Sequence, residues 1–202
     1  MQIHRTTELD AVNTMLATIG EAPVSTLDGA LHVDAVGARN TLKRITKQVQ
    51  SEGWYFNTEQ NYPLTPNIDG EINLPDNIIS VDIEPLSGKN TDVITRGGKL
   101  YDLGRHTYTF TETLIATVVL TLPFEELPET AKEYIICRAA RKYQTEFVGS
   151  DTLDGFSKQD EYNTRVALMR ENNKNIDANY LCPNKKSGIG LNTINRVTDR
   201  RI

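Results

Sequence analysis

The sequence predicts an α+β protein: a helical bundle built from both chain ends, with an antiparallel β-sandwich or barrel-like domain inserted between them. Three observations lead there. Apolar residues recur at three-and-four spacing near the N-terminus and again after Pro128, the period of helices buried on one face. Between Trp54 and Leu122 that period is lost, and Pro, Gly and Asp-Gly steps cut the chain into short β-prone runs. With helices on either side of the strands, pairing the two ends buries both sets of apolar faces. The expected division is residues 1–56 with 125–175 as the helical domain, 57–124 as the β domain, and 176–202 as an extended C-terminal arm.

Each element follows from local chemistry. Thr7 can cap a first helix, with Asp10 in the acidic position of a capping box. Leu9, Val12, Leu16 and Ile19 share a face beside Met15, and Gly20 and Pro23 stop the helix. Val24 to Leu31 reads as an ordered loop. A second helix is expected from Asp34 to Glu52, with Ala35, Ala38, Leu42, Ile45 and Val49 as its seam and Gly53 as its end. Trp54-Tyr55-Phe56 is expected to enter a strand. Further β-prone runs span 71–74, 78–84, 92–95, 107–110 and 114–122, and Arg96-Gly97-Gly98-Lys99 reads as a two-residue hairpin turn. Pro128 opens a third helix, carried by Ala131, Ile135, Ala139, Tyr143 and Phe147, broadened by Tyr134, Ile136 and Ala140, and ended by Gly149. A more polar fourth helix from Asp154 to Asn173 has Phe156, Tyr162, Val166 and Met169 as its inner stripe and should lie on the surface. The last residues, rich in Asn and Gly, either fray or become ordered against a neighbour.

Bulk properties narrow the function. In 202 residues, 38% hydrophobic and 24% charged content mark a globular chain rather than a disordered one. A net charge of -5 argues against a general nucleic-acid binder, yet suits a protein that DNA must slide past. No leader pattern opens the chain, and the longest apolar run, Leu114 to Leu122, is too short to span a bilayer. Synthesis in the cytoplasm without membrane insertion is the expectation. Cys137 and Cys182 read as two free thiols or as one long-range bridge.

Motifs for chemistry are sparse. The sequence has no phosphate loop, GxSxG elbow or HExxH, and His4, His32 and His106 are scattered. No cofactor or metal is implied. Two groups of charged residues remain. Arg39, Lys43 and Lys47 follow one another at four-residue spacing on the second helix, either as a solvated face or as a surface for an acidic partner or phosphate. Glu125, Glu126 and Glu129 crowd a strand-to-helix junction, where they serve the helix dipole or form a carboxylate pair for glycoside hydrolysis.

The opening string, Glu8 through Leu27, resembles the N-terminal signature of tail tubular protein A, the adaptor or gatekeeper family of short-tailed podoviruses. Further anchors occur in the family's order: Gln48 to Asn57, Arg96 to Asp102, Leu127-Pro128-Glu129, and Arg138 through Phe147. The resemblance implies a structural virion protein, a dodecameric ring between the portal protein and the tail nozzle protein, tail tubular protein B. It also implies support for the tail fibre protein and a channel for genome DNA without sequence-specific binding. The family has no catalytic residues to carry over. Contact candidates are Arg39, Lys43 and Lys47, with Lys185, Lys186, Arg196, Arg200 and Arg201 of the C-terminal arm. The alternative is a hydrolase of capsule or cell-wall polysaccharide acting through Glu125, Glu126 or Glu129, alone or as a second function of a tail protein.

Overall fold

A computed structural model describes residues 4–29, 32–83, 92–147, 149 and 151–176. It is α+β, with helices α1 (Glu8–Thr18), α2 (Val33–Gln50), α3 (Glu129–Phe147) and α4 (Asp151–Asn175). Between α2 and α3 lie strands β1 (Thr58–Leu64), β2 (Ile78–Ile83), β3 (Val93–Arg96), β4 (Lys99–Asp102) and β5 (Leu114–Leu120), followed by a single 3₁₀ turn at Phe124–Glu126.

The caps work as their residue types dictate. Asp10 N donates to Thr7 Oγ1 at 3.2 Å while Thr7 N donates back to Asp10 Oδ2 at 3.0 Å. The Thr7 hydroxyl, which donates to Asp10 Oδ2 at 2.7 Å, and after it the Thr7 N–H hold the Asp10 carboxyl below its usual range. Trp54-Tyr55-Phe56, expected to begin a strand, forms a turn instead. Gly53 takes φ +72°, Trp54 folds back so that Nε1 donates to Val49 O at 2.8 Å, and β1 starts only at Thr58. The aromatic cluster closes the end of α2 rather than extending away from it.

In the sheet, β5 lies between β1 and β2, antiparallel to both, with Leu64 opposite Leu114 and Thr58 opposite Val119. Strands β3 and β4 pair as the Gly-Gly hairpin, Gly97 and Gly98 both having positive φ. The expected strands at 71–74 and 107–110 shrink to isolated bridges, Glu71 with Thr109, Asn73 with Lys99 and Asp102 with Thr107. Among the described residues the β part is thus an open three-stranded sheet and a hairpin, not a closed barrel. Ile72, Leu74, Leu100, Phe110, Ala116 and Val118 form one core between them.

The helices share a second core, contributed by Val12, Met15 and Leu16 of α1, Leu42, Ile45 and Val49 of α2, and Tyr134, Ile135 and Tyr143 of α3. Phe147, expected on that face, caps the Tyr143 ring at 4.4 Å between centroids but stays exposed at the helix end. For α4 the inner residue is Leu168, fully buried, whereas Tyr162 is 64% and Met169 46% exposed. Polar contacts set that rotation: Tyr55 N donates to Asn172 Oδ1 at 2.9 Å, and Glu171 accepts from both Tyr55 Oη and Thr130 Oγ1.

Two buried amides tie helices to sheet. Gln50, wholly buried, donates to Leu122 O at 3.0 Å and accepts from Leu122 N at 2.7 Å, copying a strand pairing with a side chain. Asn57 donates to Gln50 O and Leu120 O and accepts from Trp54 N, each at 2.8 Å.

Candidate functional site

The basic stripe of α2 divides on folding. Arg39 turns inward: Nε and Nη2 donate to the two oxygens of Glu8 at 3.0 and 3.2 Å, and Nη1 to Leu27 O at 3.2 Å. Its guanidinium straps α2 to the first turn of α1 and to the loop after it, and Glu8 raises its pKa further. Lys43 and Lys47 remain exposed at the edge of a groove of about 360 Å³.

One wall of the groove is α2, contributing Leu42, Lys43, Thr46 and Lys47. The other is the stretch leaving β5, contributing Thr121, Leu122, Pro123, Phe124 and Glu125, with Glu8 from α1 at the edge. Folding therefore places two predicted cations and one predicted acid around a single apolar floor. Thr46 is only 8% exposed, yet its Oγ1 meets no hydrogen-bond partner among the described residues. A helical threonine ordinarily bonds the carbonyl one turn back. A buried hydroxyl without a partner costs about 1–3 kcal/mol. Sequence reading passed over Thr46; its only signal was a polar residue one turn after Leu42 on the helix seam.

The remaining charged clusters are spent within the subunit. A second cleft of about 460 Å³ is lined by Arg44, Arg138, Arg141 and Lys142. Its cations pair with acids: Arg44 with Glu146 at 3.2 Å, Arg138 with Glu52 at 3.3 Å and Arg141 with Glu161 at 2.9 Å. Glu125 and Glu126 are exposed on the 3₁₀ turn. Glu129 accepts from Thr6 Oγ1 at 2.7 Å and from Lys132 Nζ at 3.1 Å, which hold its carboxyl below the usual range. A general acid in glycoside hydrolysis requires the reverse shift. Lys132 is itself buried, at 1% exposure, and also donates to Thr6 O at 2.9 Å, so this cluster anchors the N-terminal segment onto α3. Burial raises the Cys137 thiol, which is free. Cys182, Lys185, Lys186, Arg196, Arg200 and Arg201 lie outside the described residues.

Among the described residues Glu129 and the cations of the second cleft are held in internal pairs, while the groove joins an apolar floor to the exposed Lys43 and Lys47. No helix of the described residues is long and apolar enough to cross a membrane. Residues 9–178 match the family model of the tail tubular proteins, and the chain belongs to that family, whose role is structural, in the phage tail. It is 29% identical over 168 residues to tail tubular protein A of Klebsiella phage KP34, covering 83% of this chain and 88% of that protein.

Proposed function

We propose that this chain is the ring-forming adaptor between the portal and the tail nozzle of a short-tailed phage, made in the host cytoplasm and built into the virion tail. Family membership over residues 9–178, almost the whole described structure, carries the reading. In the assembled tail, twelve copies close a ring below the portal protein, carry the nozzle protein (tail tubular protein B) beneath them, help seat the tail fibre protein, and extend the channel through which genome DNA passes. A net charge of -5 is compatible with a protein that DNA must slide past, since a chain with no excess of cations gains little from releasing the counterions of phosphate.

In this reading the helices, residues 1–56 with 125–175, form one unit and residues 57–124 an inserted β unit, with 176–202 as an arm toward a neighbour or the portal. Lys43 and Lys47 on the groove, and Lys185, Lys186, Arg196, Arg200 and Arg201 on the arm, are the contact cations. The test is co-sedimentation of the full chain with the portal ring, followed by negative-stain imaging. A discrete ring added to the lower face of the portal is the expected result. A chain that ignores the portal across several salt concentrations would overturn the adaptor role. Truncation after Asn175 should weaken docking while leaving the melting transition in place.

A further inference from the structure

The groove on α2 has a matching feature elsewhere on the subunit. In the turn after β1, Ile68 is fully exposed, at 101% relative accessibility, with Asn67 before it and Asp69 after it. The turn that presents it is braced. Asn67 Oδ1 accepts from Asp69 N and from Glu71 N, both at 2.9 Å. Gly70 N donates to Asn67 O at 3.0 Å, and Phe110 N to Gly70 O at 2.7 Å. Holding an isoleucine rigidly in water gains the subunit nothing. Its preorganisation lowers the entropic cost of a contact made with another surface.

The groove offers the complement. Its floor of Leu42, Leu122, Pro123 and Phe124 is apolar, and Lys43 and Lys47 lie beside it, with Glu8 and Glu125 also on its rim. The turn carries an apolar tip and, next to it, the Asp69 carboxylate. The two features cannot meet within one copy. Strand β1 leads away from Asn57, and β5 runs back from Leu114 to the groove segment. The seven residues of β1 therefore separate turn from groove by roughly 20 Å.

We infer that Ile68 of one copy seats in the α2 groove of the next, with Asp69 facing Lys43 and Lys47. Knob and hole are different patches, so each copy can give one and receive one; passed from copy to copy, as the ring reading requires, the contact is heterologous and generates a ring when its rotation closes. The inference rests on the ring reading above and supplies the residues of its subunit contact.

The test uses the full chain in two ways. Sedimentation velocity over a range of concentrations compares wild type with Ile68→Asp, a substitution at a position with no intramolecular burial to lose. Association should weaken by roughly 10- to 100-fold, the loss expected for one buried isoleucine. Separately, with Cys137 and Cys182 replaced by Ser, an Ile68→Cys copy is mixed with a Lys47→Cys copy under mild oxidation. Covalent dimers should form in the mixture and not in either variant alone. If wild type forms rings while Ile68→Asp associates unchanged and the mixture stays uncrosslinked, this contact is wrong and the ring reading survives. A wild type that stays monomeric, with no cross-link at any concentration, overturns both.

Discussion

Asn57 is the residue whose loss should do most damage for its size. It is 1% exposed, and its three hydrogen bonds, all at 2.8 Å, join the end of α2, the Trp54 turn and the end of β5. In Asn57→Ala the Gln50 carbonyl keeps its bond from Gly53 N, but the Trp54 N–H loses the acceptor that holds the turn. Losing three short buried bonds and stranding one donor costs about 2–4 kcal/mol. That is a large part of a total stability of about 5–15 kcal/mol, and a chain of this size should melt roughly 5–15 °C lower. Asn57→Asp separates hydrogen bonding from volume. It keeps the acceptor for Trp54 N but turns a charged oxygen toward two carbonyls. Burial and those carbonyls raise the folded-state pKa of the new carboxyl above its unfolded value. Stability relative to wild type is therefore least impaired below the unfolded pKa, near 4, and falls as pH rises through the folded value. Thermal melts of the full chain, followed by circular dichroism between about pH 4 and pH 8, read both effects. An Asn57→Ala variant melting within a degree or two of wild type, or an Asn57→Asp penalty that does not grow with pH, would refute the view that this amide holds helices to sheet.

Three further outcomes follow from other contacts. Gly70 has φ +77°, and a Cβ there would meet Thr109 Cγ2 at 2.7 Å, so Gly70→Ala should cost about 1–3 kcal/mol in denaturant titration. Arg39→Lys loses the bidentate grip on Glu8. A double-mutant cycle with Glu8→Gln should return a coupling of about 1 kcal/mol, modest because both side chains are partly exposed. Glu171 and Glu129 both have lowered carboxyl pKa values, chiefly through the Thr130 and Thr6 hydroxyls respectively. Their contribution is full above the ordinary value of 4.5 and is lost as pH falls through the lowered one, so the melting-temperature gap between wild type and Glu171→Gln should narrow on acidification.

Local rules made much of the fold legible. The Thr7–Asp10 box, the Gly97-Gly98 turn and the seams of α2 and α3 each depend on residues a few positions apart, where period and capping chemistry speak directly. Long-range partners did not announce themselves. Trp54 has strand propensity, but Asn57, itself anchored to Leu120 across 63 positions, holds its N–H, and the Val49 carbonyl, which also accepts from Glu52 N, holds its ring on the helix end. The stripe read for α4 was displaced because Tyr55 and Thr130 pull Glu171 and Asn172 inward, turning Leu168 to the core. At the candidate site the type of residue was readable and its employment was not. Arg39, Lys43 and Lys47 look equivalent by spacing, yet Glu8 lies 31 positions from Arg39 and claims only that one.

The same logic explains why the groove lies where it does. Gln50 gives both ends of its amide to Leu122, which stops the chain from continuing the sheet and draws Pro123 and Phe124 down against α2. Phe124 is then held from beneath by the buried Lys132, whose ammonium is 5.8 Å from its ring, and Lys132 is fixed by Thr6 and Glu129. The groove wall thus depends on the N-terminal segment through one buried cation. Replacing Lys132 by Met keeps the volume but removes the donor to Thr6 O and Glu129 Oε1, leaving Thr6 and Glu129 joined only to each other. If the wall is held this way, Lys132→Met should weaken copy-to-copy association along with stability. A variant that loses stability while associating as wild type would show that the wall stands without its brace.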